Sequence, residues 1–383
     1  MHPTDYPAGA SPSHDLPLAE SPDYLTRQLI TYIGNKRSLL PPIASAVERV
    51  KQRLAIQRLK CIDLFAGSGI VSRMLKAHSR QLISNDLEDY AAVIARCYLA
   101  NRDQIDLAEL AHRVDDLNAR VTDASYDRGF IEELYAPRCE RQITAADRVF
   151  YTPGNARRLD NYRRMIEELP IEWRDFLLGP LLSEASIHAN TAGVFKGFYK
   201  NRRTNLGQFG GSGGDALTRI RGEIKLALPV LSRFACDHQV YRRDANELAK
   251  QVRGLDLAYL DPPYNQHPYG SNYFMLNLLV HYRRPNEVSR VSGIPADWQR
   301  SRYNVRSESL RLMEDLVSQI DAPYLLISFN DEGFIPPGEM RSLLNRYGSV
   351  EVMETRYNAF RGSRSFAKRS IHVTEQLFLV EKH

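Results

Sequence analysis

The stretch from residue 60 to residue 69 constrains the fold more than any other part of this chain. It starts as a short apolar strand and ends in a glycine-rich turn, and residues 70–77 then show helical periodicity. A second apolar strand ends at Asp86 and is again followed by a helical pattern. Because strand and helix alternate, we predict a parallel sheet whose strands are joined by right-handed crossovers.

The rest of the chain continues this pattern around one interruption. Further strands are predicted at residues 239–241, 255–260, 324–329 and 376–380, with 350–357 as a strand of a closing hairpin. Residues 102–232, which include a glycine-rich stretch, are interpreted as an insertion. The predicted fold class is therefore α/β, with a Rossmann-like, mostly parallel sheet formed by residues 23–101 and 233–383. Residues 1–22 are predicted to be a disordered tail.

The glycine-rich turn is typical of a nucleoside-binding site. Small residues between Asp63 and Gly69 let backbone N–H groups approach a ligand at the positive end of a helix dipole. Asp86 ends the next strand, where a carboxylate can accept both hydroxyls of a ribose. Ser72 replaces the third glycine of a dinucleotide-binding motif, which disfavours a pyrophosphate and favours S-adenosylmethionine. Taken alone, the turn is explained equally well as a structural feature.

The tetrapeptide Asp261-Pro262-Pro263-Tyr264 follows an apolar strand and is the most informative motif. Two prolines fix a turn with few backbone donors, so the Asp261 carboxylate and the Pro262 carbonyl can act as acceptors in one pocket. Two acceptors suit the exocyclic amine of adenine and favour the pyramidal nitrogen that exposes its lone pair to a methyl group. Tyr264 offers a face on which a base can stack. The alternative is a rigid loop whose aspartate caps the next helix.

The positive charge of the chain is concentrated in two places. The formal net charge is only +5, which permits a polyanionic partner without requiring one. Residues 196–225 nevertheless contain seven basic and two acidic side chains, together with seven glycines. Arg361, Arg364, Lys368 and Arg369 form a second basic cluster. Taken alone, each cluster is more simply explained as a solvated face.

Membrane and metal-binding classes are excluded by the sequence. The apolar runs are far shorter than the roughly 18 residues that a membrane-spanning helix needs, and we expect a cytoplasmic protein. The four cysteines lack zinc-binding spacing. His188, His238 and His267 form no helical pair, and no carboxylate cluster accompanies them. No metal site is predicted.

Together these motifs resemble the alpha-class, Dam-type adenine-specific DNA methyltransferases of restriction-modification systems, over most of residues 30–380. The segments at Tyr32, Asp63, Asp86, Asp244 and Asp261 occur in the family's order, although Tyr32 and Asn35 stand where the family usually has Trp and Gly. The resemblance implies that S-adenosylmethionine is bound by Tyr32, Asn35, Lys36, Asp63, Phe65, Ala66, Gly67, Asp86, Asp244, Ala245 and Asp261. It implies that Asp261, Pro262 and Tyr264 are the catalytic residues.

The resemblance also makes residues 102–232 the target-recognition region and double-stranded DNA the partner. The DNA-binding residues are predicted to be Lys196, Lys200, Arg202, Arg203, Tyr273, Arg361 and Arg364. We expect direct in-line methyl transfer to a flipped-out adenine, without metal, by a monomer whose functional partner is a restriction endonuclease. Tyr273 either orders over the flipped base or packs at the start of a helix. The alternatives are a ribosomal RNA base methyltransferase and a catalytically inactive DNA-binding homologue.

Overall fold

The computed structural model describes residues 20–122, 126–211, 214, 216–358 and 372–383. The strands in these ranges are β1 (Leu59–Asp63), β2 (Ser79–Asp86), β3 (Asp237–Arg242), β4 (Leu257–Leu260), β5 (Tyr324–Asn330), β6 (Gly348–Asn358) and β7 (His372–Lys382). They form one sheet in the order β3-β2-β1-β4-β5-β7-β6. Most of the tail predicted at residues 1–22 lies outside the described residues.

The helices flank this sheet and fill the insertion. They are α1 (Pro22–Thr26), α2 (Leu40–Leu54), α3 (Ile70–His78), α4 (Asp89–Leu99), α5 (Leu107–Arg120), α6 (Phe130–Tyr135), α7 (Pro153–Glu168), α8 (Ile171–Ile187), α9 (Leu217–Arg221), α10 (Ala245–Ala249), α11 (Tyr269–Asn272), α12 (Phe274–His281), α13 (Arg306–Gln319) and α14 (Pro337–Leu344). Among the helices described, none is long and apolar enough to cross a membrane.

The mostly parallel sheet predicted from the sequence is confirmed. Strands β3, β2, β1, β4 and β5 pair in parallel, whereas β7 is antiparallel to both β5 and β6. Residues 348–358 thus form the first strand of the predicted closing hairpin. Every residue of β4 and β5 is buried, which explains why these central strands read as continuous apolar runs.

Helices from residues 102–232 share one hydrophobic core with the helices that lie beside the sheet. Helix α8 packs against α4 and α12, and the three helices contribute to one continuous hydrophobic cluster. The contact between α8 and α4 is close, because a Cβ atom at Gly179 would lie 2.8 Å from the Cys97 sulfur. Residues 102–232 are therefore packed through α8 onto the helices beside the sheet.

The topology brings distant acidic residues to one edge of the sheet. Strand β1 ends at Asp63, β2 ends at Asp86, and Asp261 directly follows β4. These three strands are parallel neighbours, so their carboxyl ends meet at the same edge. In open α/β sheets this edge is where ligands bind.

Candidate active site

A cleft opens at the carboxyl edge of the sheet. All of the residues predicted to bind the cofactor line it, namely Tyr32, Asn35, Lys36, Asp63, Phe65, Ala66, Gly67, Asp86, Asp244, Ala245 and Asp261. The charged lining is mainly acidic, since Glu88 joins the four aspartates while Lys36 and Arg243 are the basic members. Such a lining suits a ligand that carries positive charge and disfavours a pyrophosphate.

The glycine-rich turn is fixed by close contacts. Gly67 has a φ of +53°, and a Cβ atom there would lie 2.8 Å from the ring of Tyr32. The Gly67 amide donates a hydrogen bond of 2.8 Å to the Asp86 carboxylate, which ties the turn to the end of β2. A side chain at residue 67 would meet both backbone strain and the Tyr32 ring, so this glycine is required by geometry.

Asp63 is held below the turn by Ser72, the residue that replaces the third glycine of the dinucleotide motif. The Ser72 hydroxyl donates to the Asp63 carboxylate at 2.6 Å, and the Phe65 amide donates to the other oxygen at 3.3 Å. Burial raises the pKa of Asp63 to about 7, although the Ser72 hydrogen bond opposes this rise. Ser72 thus supplies the partner that a buried carboxylate needs.

At the end of β2 the cleft is lined by two carboxylates, the partly buried Asp86 and the buried Glu88, rather than by the one that the sequence predicted. Asp86 accepts the Gly67 amide and, at 2.9 Å, the Glu88 amide, and burial raises its pKa. Glu88 also lines the cleft and accepts a 2.7 Å hydrogen bond from the Asn277 side chain. Burial and the neighbouring Asp86 raise the pKa of Glu88 to about 8. Glu88 follows the predicted ribose-binding residue Asp86 by two positions, and this spacing is the sequence signal that could have identified it as a lining residue.

The far end of the cleft combines aromatic and polar groups. The Phe65 ring lies edge-on to Tyr303, with 5.4 Å between centroids, and the Tyr303 hydroxyl donates to the Asn246 side chain at 2.9 Å. Asp244 caps α10 by accepting the amides of Asn246 and Glu247. Tyr303 lines the cleft and was missed by the sequence analysis, because it follows the catalytic tetrapeptide at a distance and belongs to no motif.

Asp261 lines this cleft and lies beside a buried lysine. Lys36 Nζ lies 3.0 Å from Asp261 Oδ1 and 3.0 Å from Glu375 Oε1. Burial raises the pKa of Asp261 to about 7; Lys36 opposes the rise and Glu375 adds to it. Pro263 lines the cleft, while Pro262 and Tyr264 are buried next to it. Glu375 was missed because it lies on β7, far along the chain, with no motif around it.

Tyr273 corrects one of the DNA-binding predictions. Its side chain is fully buried, and its ring stacks on Tyr32 with 4.9 Å between centroids. The Tyr273 hydroxyl accepts a hydrogen bond from the Ile33 amide at 2.7 Å. The alternative of a packed residue at the start of α12 is therefore the one observed, and the burial of Tyr273 against Tyr32 disfavours a contact with DNA.

Several predicted DNA-binding residues lie on an antiparallel hairpin, residues 199–208, that we call the basic hairpin. Lys200 pairs with Gly207, and the Gln208 amide donates to the Tyr199 carbonyl at 2.9 Å. Arg202 and Arg203 are exposed at its tip, and Lys196 is exposed just before it. Arg361 and Arg364 lie outside the described residues.

The segment that leads into the basic hairpin contacts α11, the helix that follows the tetrapeptide at residues 261–264. The Phe195 amide donates a 2.7 Å hydrogen bond to the carbonyl of Asn272, the last residue of α11. Helix α11 begins only five residues after Tyr264. The segment that leads into the hairpin thus contacts the helix that follows the tetrapeptide in the chain.

The comparisons with known proteins identify the family of the chain. A family model for the D12 class N6 adenine-specific DNA methyltransferases matches residues 32–343. The chain is 31% identical to the type II methyltransferase M.NlaIII of Neisseria lactamica, over 92% of this chain and 99% of that protein. It is 29% identical to the type II methyltransferase M.CviAII of Paramecium bursaria Chlorella virus 1, over 92% and 98%. It is 28% identical to the modification methylase LlaI of Lactococcus lactis subsp. lactis, of which it matches 51%.

The sheet order and the cleft at its carboxyl edge define an α/β, Rossmann-like fold with its ligand cleft at the position usual for open parallel sheets. Within that fold class, the chain belongs to the D12 class N6 adenine-specific DNA methyltransferase family. The expectation of an adenine-specific DNA methyltransferase is thereby confirmed.

Proposed function

We propose that this protein transfers the methyl group of S-adenosylmethionine to N6 of an adenine that has left the DNA duplex, and that Asp261 is the residue that receives the amine. The observation that carries the proposal is the state of the Asp261 carboxylate in the lining of the cleft. Its Oδ1 atom is buried and forms an ion pair with Lys36. Within the described residues, this atom has no hydrogen-bond partner. It is thus an acceptor available for an N–H donor.

The charge and the side chains of the cleft lining support S-adenosylmethionine as its ligand. Asp86 and Glu88 would bind the ribose hydroxyls, while Phe65 and Asp244 would bind the adenine ring and its amine. The acidic lining favours the positive charges of the cofactor, which when bound supplies a methyl group attached to a sulfonium. Asn35 and Lys36 line the end nearer Asp261 and would bind its methionine part.

The chemical role of the chain is to position the amine and to hold charge. Asp261 and the Pro262 carbonyl would accept the two N–H groups of adenine, which makes the nitrogen lone pair available for in-line attack. Near pH 7 Asp261 is poised between its two forms, and the carboxylate is the stronger acceptor for the N–H group of the amine. Taking the base out of the stack costs a few kcal/mol, which contacts to the flipped base and to phosphates offset.

The basic hairpin and Lys196 would contact the DNA around the target. Exposed arginine and lysine side chains on an element rooted beside α11 can neutralise phosphates or read base edges in the major groove. The names of the relatives suggest a place in a type II restriction-modification system. We propose that the protein works in the cytoplasm as a monomer that protects one DNA sequence from a separate restriction endonuclease.

The experiment that tests this function uses S-adenosylmethionine with a labelled methyl group and unmethylated genomic DNA. The DNA is digested to nucleosides, and the modified positions are mapped by single-molecule sequencing. We expect label only in N6-methyladenine and at one recurrent sequence. Label that appears in ribosomal RNA and not in DNA would refute the DNA substrate, and no transfer to either would favour a protein that binds DNA without catalysis.

A further inference from the structure

We propose that Glu375 is a positioning residue for methyl transfer: it holds the Lys36 ammonium when the adenine amine takes the place of that ammonium at Asp261. The inference rests on the proposed function, because it concerns how the same site admits its substrate. Glu375 lies on β7, outside every motif that the sequence analysis singled out.

The geometry places Lys36 between two carboxylates. Its Nζ atom is 3.0 Å from Oδ1 of Asp261 and 3.0 Å from Oε1 of Glu375, and both Lys36 and Glu375 are 2% exposed. Glu375 is itself fixed by Ser328, whose hydroxyl donates to the same Oε1 atom at 2.6 Å. Ser328 lies on β5, the strand that pairs with β7, so the sheet holds the second carboxylate in place.

The substrate amine and Lys36 compete for one atom. Asp261 Oδ1 is the oxygen that faces Lys36, and because it has no other hydrogen-bond partner within the described residues, it is the acceptor that we assign to the amine. A neutral amine cannot displace a buried ammonium from its sole counter-ion, because the unpaired cation would then be left without water or partner. With Glu375 present, Lys36 keeps one carboxylate when it releases the other. The exchange then needs only a small movement of Nζ.

The charges around Asp261 make this role measurable. Lys36 and Glu375 face Asp261 directly, while Asp63 on β1, Tyr259 on β4 and Tyr269 on α11 also interact with it. Burial raises the pKa of both tyrosines well above their usual value, so they stay neutral. Burial also raises the pKa of Asp261 to about 7, with Glu375 adding to the rise and Lys36 opposing it. Removing the Glu375 charge therefore lowers the pKa of Asp261.

The test is Glu375→Gln in the full-length protein, measured as single-turnover methylation of phage DNA from a host without adenine methylation, across pH 5.5 to 9. The wild-type rate should rise with pH through about 7 as Asp261 ionises. In the variant, we expect the high-pH plateau to fall about 10- to 100-fold because Lys36 stays on Asp261. The rise itself should move to lower pH, while S-adenosylmethionine binding stays within about twofold of the wild type.

Two further variants separate positioning from structure. Glu375→Asp keeps the charge, so the pH at which the methylation rate rises should be close to that of the wild type. If the glutamine variant fails to fold, the aspartate variant is used for the test. Ser328→Ala removes the hydrogen bond to Glu375 but leaves the charge, so its pH rise should not move. A lower plateau with an unmoved pH rise in Glu375→Gln would overturn the proposal, as would a wild-type rate. If the wild-type protein does not methylate adenine at all, it is the proposed function that fails.

Discussion

The Ser72 hydroxyl donates a 2.6 Å hydrogen bond to the Asp63 carboxylate, which is completely buried beneath the glycine-rich turn. The serine that breaks the dinucleotide-binding pattern thus has a specific partner. Since a buried carboxylate without a donor is costly, the pair explains why a third glycine would be a poor choice at residue 72.

Ser72→Ala should destabilise the protein by about 1 to 3 kcal/mol, because Asp63 loses its side-chain donor. The pKa of Asp63 is already about 7 in the folded protein, well above that of an unfolded aspartate, and should rise further. The folded state then binds more protons than the unfolded state between about pH 4 and pH 7, so stability falls as pH rises through this window. Urea unfolding at pH 5 and pH 8 checks this. Ser307→Ala, at an exposed helical position, is the control.

Gly67→Ala should weaken S-adenosylmethionine binding at least about tenfold, since the new Cβ would push Tyr32 into the cleft or distort the turn. Strain from a positive φ of this kind costs about 1 to 3 kcal/mol. Isothermal titration calorimetry measures the dissociation constant. The matched control is Gly338→Ala in α14, where a Cβ meets nothing within 4 Å. Equal affinities for the two variants would remove the turn from the cofactor site.

Asp86→Asn keeps the shape of the side chain and an acceptor for one backbone amide, but it removes the charge. If Asp86 binds the ribose, the dissociation constant of S-adenosylmethionine should rise about 10- to 100-fold, as expected for hydrogen bonds to a charged group. Asp103→Asn, an exposed position away from the cleft, is the control. An unchanged constant in Asp86→Asn would show that the ribose is bound elsewhere.

Neutralising Lys196, Lys200, Arg202 and Arg203 together should flatten the salt dependence of DNA binding. For every phosphate that a basic side chain no longer neutralises, the slope of log K against log salt becomes shallower by about 0.9. Fluorescence anisotropy with a labelled duplex at four salt concentrations measures the slope. Arg58→Ala alters an exposed cation just before β1, at the opposite edge of the sheet, and should leave the slope unchanged. A variant of the hairpin that keeps the wild-type slope would place the DNA elsewhere.

The sheet and much of the cleft could be predicted from the sequence, because their signals are local. The apolar strands before Asp63, Asp86 and Asp261 are each short runs that end in a recognisable turn. Parallel topology then brings those ends together without further information. In the same way the segment at residues 350–357 could be identified as a hairpin strand from its position before the last strand.

The residues that sequence reasoning missed act through the tertiary structure. Glu375 reaches Lys36 only because β7 inserts antiparallel beside β5, and Tyr303 reaches Phe65 only because a long irregular segment returns to the cleft. Tyr273 was assigned to DNA because it follows the tetrapeptide closely. Its burial against Tyr32 depends on the packing of α11 and α12, which periodicity does not reveal.

The most direct test of the role of Asp261 compares the wild-type protein with Asp261→Asn. Both are incubated with labelled S-adenosylmethionine and unmethylated duplex DNA, and cofactor binding is measured on the same preparations. The variant should transfer methyl to adenine about 10²- to 10⁴-fold more slowly, with a dissociation constant for the cofactor within about threefold of the wild type. A variant that transfers methyl groups at the wild-type rate, or wild-type label found in cytosine instead of adenine, would contradict the assignment.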